Sequence, residues 1–256
     1  MVGSALLLAA GRGSRMGSGT DEQPKCLTRL AGRPLIDWQT SALAAAGITT
    51  IAAIGGYRKD KLAPFVPVAF ENPLWAETNM VMTLVCADSE LRRGACLVSY
   101  SDIVYHPSTV EALAACDGDI AITYDRCWHD LWRLRFEDPL DDAETFRADD
   151  GWLSEIGGKA GSLDDIRGQY MGLLKFTPQG WSAVSDLLAA LDEPTRRRFD
   201  MTSLIRRLLA EGYPVAAVPV DGRWCEVDQD TDVKAYERAL DEAQARGARW
   251  SHDWRW

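Results

Sequence analysis

The segment LLLAAGRGSRMG at residues 6–17 constrains the fold more than any other stretch of the chain. Its leucines and alanines form a short apolar run that predicts a buried parallel strand, and a glycine turn ends the run at once. A turn needs one glycine, whereas this segment has three glycines together with Arg12 and Arg15. We therefore expect an anionic ligand to lie against the backbone of this loop.

Apolar runs alternate with helix signals over the first 125 residues. Strands are predicted at 4–10 and in TTIAAIGGY, VPVAFENP, ACLVSYSDIVY and DIAITY, with helices from Pro34 to Gly47, over 79–92 and from Pro107. Strands that alternate with helices are typical of a doubly wound α/β fold with a mostly parallel sheet and right-handed crossovers.

The pattern changes after residue 125. Shorter strands are predicted in LWRLRFE, TFRADDG, WLSEIGG and GQYMGLLKF, which indicates a mixed or antiparallel region, and the acidic stretch 137–150 is interpreted as an exposed loop. Further helices are predicted over 178–191, 201–211 and 231–246, and strands in YPVAAVPV and RWCEV. No linker or repeat interrupts the chain, so we predict a single domain over 1–256.

Composition excludes several classes of protein. The net charge is −10, which disfavours a general nucleic-acid binder. Six cysteines without a C-x-x-C pair, and only three histidines, indicate neither a zinc site nor a disulfide framework. The apolar run at the N-terminus is too short for a signal peptide or a membrane span, so we expect a cytoplasmic protein without a membrane partner.

Three kinds of phosphate-binding loop are alternatives for residues 6–17. A Rossmann fingerprint fits Gly11 and Gly13, but Met16 stands at its third position and Gly17 comes one residue late. No Walker sequence exists. LAAGRGSRM, followed by PKCLTRLAGRPLIDW, resembles the nucleotidyltransferase family that activates sugar phosphates and related small phosphates with an NTP.

This resemblance implies a Rossmann-like nucleotidyltransferase fold, with a nucleotide-binding half at 1–125 and an acceptor-binding half at 126–256. It implies that Arg15 and Lys25 are catalytic and hold the triphosphate. The nucleotide-binding residues that it implies are Leu8, Ala9, Ala10, Gly11, Arg12, Gly13, Ser14, Gly56, Tyr57, Asn79 and Ser101. GGY at 55–57 is alternatively a simple turn, and Thr78 or Asn79 is alternatively a helix N-cap.

The family resemblance also implies two metal ligands, Asp102 after the fourth predicted strand and Asp228 near the C-terminus. Carboxylates at strand ends suit Mg²⁺ or Mn²⁺, which neutralises charge at the α-phosphorus. Rivals of Asp228 are Glu226, Asp230 and Asp232, and Asp232 is alternatively a cap of the last helix together with Thr231.

The compact length and the segments ETNM and WCEVD look most like the phosphocholine and phosphonate cytidylyltransferases, which implies CTP as the nucleotide. Acceptor-binding residues are predicted to be Arg126, His129, Arg133, Lys159 and Gly172. If residues 131–137 form a strand, Arg133 and Arg135 share a face and suit an acceptor with two anionic ends. A phosphonoformate cytidylyltransferase of antibiotic biosynthesis fits this pattern. A solvated strand face is the alternative for the arginines, and a surface loop for Lys159.

The predicted reaction is the transfer of CMP from CTP to a small phosphonate or phosphate, with release of pyrophosphate. A sugar-1-phosphate uridylyl- or thymidylyltransferase is the closest alternative. A nicotinamide-dependent oxidoreductase needs a third loop glycine and an acidic residue after the second strand, where the chain has Gly55-Gly56-Tyr57. A non-catalytic nucleotide-binding relative is expected to lose Lys25 or a metal aspartate. The oligomeric state stays open, with a homodimer as one alternative.

Overall fold

The computed structural model describes residues 2–13, 20 and 22–256. The strands of this part of the chain are β1 Ser4–Ala9, β2 Arg29–Leu30, β3 Arg33–Pro34, β4 Thr50–Gly55, β5 Val68–Glu71, β6 Cys96–Tyr100, β7 Ile103–Tyr105, β8 Ile120–Asp125, β9 Glu144–Asp149, β10 Trp152–Lys159, β11 Gln169–Phe176, β12 Ala216–Val220 and β13 Trp224–Glu226.

The helices are α1 Leu35–Ala45, α2 Met80–Val85, α3 Asp88–Arg93, α4 Pro107–Ala115, α5 Trp128–Arg135, α6 Pro178–Ala189, α7 Glu193–Arg198, α8 Met201–Ala210 and α9 Asp230–Ala245. Within the described part of the chain, no helix combines the length and the apolar character needed to cross a membrane.

The central sheet has the strand order β5-β4-β1-β6-β11-β8-β12-β10-β9. Strands β5, β4, β1 and β6 pair in parallel, as do β8 and β12. Strand β11 runs antiparallel between β6 and β8, and β10 and β9 add antiparallel pairs at the far edge. Two small sheets, β7 with β13 and β2 with β3, stand beside it.

The side chains of β1 show how both faces of the sheet are covered. Ala5, Leu7 and Ala9 belong to the core cluster that contains residues of α1 and α4, whereas Leu6 and Leu8 belong to the cluster with residues of α2, α6 and α8. Alternate residues of a strand point to opposite faces, so a continuous apolar run fits a strand with helices on both sides. The predicted doubly wound, mostly parallel α/β fold is confirmed.

The prediction of a strand in LWRLRFE is wrong, because residues 128–135 form α5. Its buried residues are Trp128, Leu131 and Trp132, which have the i, i+3, i+4 spacing of a helix face. Over the short window WRLR, at 132–135, apolar and basic residues alternate in a way that suits a strand. Tertiary packing of the two tryptophans decides between the two patterns.

Other boundaries also differ from the predictions. The segment ACLVSYSDIVY forms two strands, β6 and β7, which belong to different sheets. The predicted helix over 79–92 is divided into α2 and α3. Strand β9 occupies part of the acidic stretch 137–150, and α7 was not predicted.

The C-terminal tail packs against the body of the protein. Trp254 is fully buried, with its ring centroid 5.9 Å from that of Trp38 on α1. His252 Nε2 lies 2.9 Å from Asp125 Oδ2 at the end of β8, and neither residue has any exposed surface. Residues 252–254 therefore form part of the core.

Candidate active site

A cleft opens at the carboxyl ends of β1 and β6, the edge where doubly wound sheets bind ligands. The residues that line it are Leu8, Ala10, Gly11, Gly13, Lys25, Trp75, Thr78, Asn79, Met80, Thr83, Tyr100, Ser101 and Asp102. Eight of these were predicted from the sequence: Leu8, Ala10, Gly11, Gly13, Lys25, Asn79, Ser101 and Asp102. Ser14 and Arg15, which were also predicted, lie outside the described residues.

Among the described residues of the loop that follows β1, Gly13 stands at a position that only glycine fits. Gly13 has a φ of +76°, and a Cβ there would lie 2.5 Å from Cβ of Lys25. Residues with side chains rarely adopt this backbone conformation, and the side chain of Lys25 fills the remaining space. Gly13 therefore brings the loop backbone and Lys25 together at one side of the cleft.

Residues Gly56 and Tyr57 of the GGY segment contact two residues that line the cleft, Ala10 and Trp75. The Tyr57 N–H donates to the Ala10 carbonyl at 2.9 Å, and the Tyr57 ring packs on Trp75 at 5.2 Å. A Cβ at Gly56 would lie 2.7 Å from the Ala10 oxygen and 2.8 Å from Cβ of Trp75. Gly56 and Tyr57 thus fix Ala10 and Trp75, and the guanidinium of Arg12 lies 5.9 Å from the Tyr57 ring centroid.

Asn79 caps a helix and also lines the cleft. Its side-chain oxygen accepts a hydrogen bond from the Met80 N–H at 2.7 Å, which makes it the N-cap of α2. Its backbone N–H donates to the carbonyl of Arg197 at 2.8 Å. The helix α7, which was not predicted, therefore contacts the edge of the cleft.

Pairing between β7 and β13 brings the two predicted metal ligands together. Ile103 pairs with Glu226, and the Val227 N–H donates to the carbonyl of Asp102 at 2.9 Å. One carboxylate oxygen from each of Asp102, Glu226 and Asp228 lies within 4.8 Å of the others. Glu226, considered from sequence only as a rival of Asp228, thus joins the same cluster.

The ammonium of Lys25 lies among these carboxylates. Its Nζ is 2.7 Å from Asp102 Oδ2 and 2.5 Å from Asp228 Oδ1. Burial by itself lowers the pKa of Lys25, but the charges of Asp102, Asp228 and Glu226 outweigh it, so the pKa is raised above its ordinary value. Lys25 is therefore a cation at neutral pH.

The carboxylates suit a divalent cation. Asp102 Oδ1 is buried and accepts no hydrogen bond from the residues that the structure describes. Burial raises the pKa of Glu226 to about 7, against the opposing effect of Arg135. Oxygen ligands from several carboxylates are those that Mg²⁺ and Mn²⁺ prefer. The residues present thus fit the predicted metal.

The remaining carboxylates near Asp228 have other positions. Asp232 Oδ2 accepts hydrogen bonds from the N–H groups of Asp228 and Gln229, at 2.7 and 3.0 Å. Asp232 is therefore part of the N-terminal cap of α9, as the alternative from sequence proposed, although Gln229 rather than Thr231 is the N-cap residue. Asp230 is exposed at the first position of α9.

Gln39 is a structural support that the sequence reasoning missed. It is fully buried on α1, and its Nε2 donates to the carbonyls of Tyr100 and Ile103, both at 2.7 Å. These bonds fix the turn that carries Ser101 and Asp102. A polar residue on the buried face of a predicted helix, next to Trp38, was the available signal.

The predicted acceptor-binding residues do not line the cleft. Arg126 is exposed and pairs with Asp221 at 2.7 Å, and Arg133 is exposed on α5. His129 is half-buried on α5, and Lys159 is exposed at the end of β10. The expectation that Arg133 and Arg135 share a strand face is wrong, because the segment is a helix and the Arg135 side chain is only 1% exposed.

Gly172, the other predicted acceptor residue, packs behind a residue of the cleft. It has a φ of +80°, and a Cβ there would lie 2.6 Å from the ring of Tyr100. The bare backbone of β11 therefore leaves room for Tyr100, which precedes Ser101 and Asp102. Gly172 was predicted to bind the acceptor, but the group that lies against it in the structure is Tyr100.

Several known proteins are similar to this chain in sequence. A CTP:phosphoglutamine cytidylyltransferase of Campylobacter jejuni is 36% identical over 247 residues, which are 90% of this chain and 98% of that protein. A 2-aminoethylphosphonate cytidylyltransferase of Lancefieldella rimae is 33% identical over 107 residues, 40% of this chain and 43% of that protein.

A solved structure and a family model complete the comparison. The inositol-1-phosphate CTP transferase from T. maritima superimposes with a TM-score of 0.72 over 92% of this chain and 94% of that one, at 18% identity, a likeness of fold. The model of the MobA-like NTP transferase domain matches residues 5–152. The chain therefore belongs to the MobA-like NTP transferase domain family.

Proposed function

We propose that the protein transfers CMP from CTP to a small phosphate or phosphonate and releases pyrophosphate. The observation that carries this proposal is the position of Lys25, which lines the cleft of the glycine loop and also contacts Asp102 and Asp228. A cation and a carboxylate cluster next to an open glycine backbone are the groups that phosphoryl chemistry requires.

In the proposed reaction, an acceptor oxygen attacks the α-phosphorus of CTP in line with the leaving group. A bond forms between that oxygen and the phosphorus, the bond from the α-phosphorus to the α,β-bridging oxygen breaks, and pyrophosphate leaves with its electron pair. The acceptor phosphate or phosphonate is already ionised near neutral pH, so the reaction needs no general base. Positioning and charge neutralisation then supply the catalysis.

The chain's own residues have separate roles in this proposal. The backbone of Gly11 and Gly13 approaches the phosphates, and Lys25 donates to them. Arg15, on sequence grounds, adds a second cation. Asp102 and Asp228, with Glu226 beside them, would hold Mg²⁺ or Mn²⁺, which when bound neutralises charge on the phosphates.

The choice of CTP and of the acceptor class rests on the relatives. The Campylobacter jejuni protein, which this chain matches over nearly its whole length, acts by name on phosphoglutamine, and the Lancefieldella rimae protein acts on 2-aminoethylphosphonate. A phosphorylated glutamine carries a phosphoryl group and a carboxylate, so it satisfies the predicted second anion. We therefore propose an amino-acid phosphate or a similar phosphonate as the acceptor.

Pyrophosphate release tests the proposal directly. Each of CTP, UTP, ATP and GTP is combined with phosphoglutamine, 2-aminoethylphosphonate, phosphonoformate, phosphocholine and glucose 1-phosphate. We expect CTP with phosphoglutamine or phosphonoformate, which carry a second anion, to give the highest kcat/KM. A clear preference for UTP with glucose 1-phosphate would contradict the proposal and favour a sugar-phosphate uridylyltransferase. A clear preference for phosphocholine or 2-aminoethylphosphonate, each of which has a cationic nitrogen in place of a second anion, would contradict the proposed second anion.

A further inference from the structure

Arg135 is a buried cation in contact with the carboxylate cluster. The sequence assigned it to a strand face, but it is the last residue of α5 and points toward β13 and α9. Its guanidinium lies 5.2 Å from the ring centroid of Trp132 and 5.1 Å from that of Phe136. Two aromatic rings and a buried stem thus fix its orientation.

The guanidinium contacts three carboxylates through different nitrogens. Nη1 donates to Glu226 Oε2 at 2.8 Å, and Nη2 donates to Asp228 Oδ2 at 3.2 Å. Nε lies 3.6 Å from Asp232 Oδ1. The planar, rigid fork of arginine can hold several oxygens at fixed angles, which the single ammonium of lysine cannot do.

The two oxygens of Asp228 consequently have different partners. Oδ2 accepts from Arg135, whereas Oδ1 accepts from the Lys25 ammonium, which also donates to Asp102 Oδ2. A partial rotation of the Asp228 carboxylate would break the contact with Arg135. The arginine therefore holds the plane of this carboxylate, so that one oxygen stays on the guanidinium and the other faces the space between the aspartates.

We propose that Arg135 is a positioning residue that orients Asp228 and Glu226 for a divalent cation. Oδ1 of Asp228 is then the oxygen available to the cation, and Oδ2 remains with the arginine. This inference rests on the metal proposed above for this site. Loss of a hydrogen-bond partner behind a metal ligand typically weakens metal affinity by roughly 10- to 100-fold.

The direction in which cation affinity changes when Arg135 is replaced distinguishes a positioning role from a purely electrostatic one. Removal of a positive charge near a cation site should strengthen cation binding by Coulomb's law. Removal of the group that orients the ligands should weaken it. Arg135→Met removes both the charge and the fork, and Arg135→Lys keeps the charge but loses the fork.

The experiment is a titration of the full-length protein with Mn²⁺ alone, followed by the electron paramagnetic resonance signal of free Mn²⁺. We expect Arg135→Met to weaken Mn²⁺ binding roughly 10-fold or more, and Arg135→Lys to weaken it as well but by less. Trp181→Phe is the matched control, because it removes the hydrogen bond from a buried side chain to Asp88, between α6 and α3 and away from β7 and β13, which carry the cluster. It should lower the melting temperature and leave Mn²⁺ affinity unchanged.

Each other outcome has a definite meaning. If folded Arg135→Met binds Mn²⁺ as tightly as the wild type or more tightly, the inference is wrong. If Arg135→Met does not fold, Arg135→Lys decides, and wild-type affinity in that variant overturns the inference. Absence of Mn²⁺ binding by the wild type would contradict the metal proposal and this inference with it, whereas CMP transfer would still be testable by its product.

Discussion

The Lys25 ammonium lies 2.5 Å from Oδ1 of Asp228, a residue 203 positions away in the chain, in the space between Asp228 and Asp102. The divalent cation proposed above would therefore share carboxylate oxygens with this lysine. In the proposed reaction, Lys25 would act on both the phosphates and the metal.

We predict opposite effects of Lys25→Met on two measurements. Mn²⁺ affinity without nucleotide should rise several-fold, because a competing cation is removed. The value of kcat/KM should fall roughly 10²-fold or more, because charge stabilisation at the phosphates is lost. Arg15→Ala should lower kcat/KM similarly. Lys61→Met, at an exposed lysine, serves as the control. Wild-type turnover in both Lys25→Met and Arg15→Ala would show that the loop is not catalytic.

Metal removal is expected to abolish activity. EDTA should stop the reaction, and Mg²⁺ or Mn²⁺ should restore it, because Asp102, Glu226 and Asp228 offer oxygen ligands within 4.8 Å of one another. Asp102→Asn and Asp228→Asn should remain folded and bind metal and nucleotide poorly. Asp230→Asn, at an exposed neighbour, should behave as the wild type. Full activity in the presence of chelator would contradict this prediction.

Substitution of Gly172 and of Gly212 by alanine allows the cost of the contact between Gly172 and Tyr100 to be measured separately from backbone strain. Their φ angles are +80° and +81°, but a Cβ at Gly212 has nothing within 4 Å. Gly212→Ala should cost about 1 kcal/mol of unfolding free energy from backbone strain alone. Gly172→Ala should cost about 1–3 kcal/mol more through the clash with Tyr100 and should also lower kcat/KM. Equal losses in urea denaturation would contradict the packing role.

Asp125 should stabilise the protein in its charged form. Burial raises its pKa, but hydrogen bonds from His252, Gly222 and Trp224, with the charge of His252, outweigh this, and the pKa lies below its ordinary value. In the unfolded chain an aspartate has a pKa of about 3.9. The stabilising effect of Asp125 is therefore fully present above that pH, and it is lost as the pH falls through the lower pKa of Asp125 in the folded protein.

Asp125→Asn should accordingly lower the free energy of unfolding by about 1–3 kcal/mol at pH 7, because Trp224 and His252 share the oxygen Oδ2. Urea denaturation at pH 7 and at pH 3 measures the difference between the variant and the wild type. We expect the difference to shrink at pH 3. A difference that stays the same at both values would mean that the charge of Asp125 contributes nothing.

Local patterns in the sequence selected several residues that line the cleft. Gly13 and Lys25 belong to two motifs that are close together in the sequence, LAAGRGSRM and PKCLTRLAGRPLIDW. The two residues also lie against each other in the structure. Asp102 and Asp228 were found through the family resemblance, but their proximity depends on the pairing of β7 with β13. Pairing between segments far apart in the chain is a tertiary property that local patterns do not contain.

The secondary structure predicted for the acceptor segment was wrong for a physical reason. Residues 132–135, WRLR, alternate as a strand does, but Trp128, Leu131 and Trp132 have the spacing of a helix face, and their packing on the core favours the helix. In the helix, Arg135 points toward the carboxylates and Arg133 is exposed. The roles of Arg126, His129, Arg133 and Lys159 stay predictions.

Label transfer from CTP tests the central claim most directly. The protein is incubated with Mg²⁺ and phosphoglutamine, in parallel with CTP labelled at the α-phosphorus and CTP labelled at the γ-phosphorus. We predict that the α-label enters a conjugate of CMP with the acceptor and that the γ-label is released entirely as pyrophosphate. Transfer of the γ-label to the acceptor, or α-label found only in free CMP with every phosphate and phosphonate tested, would contradict nucleotidyl transfer.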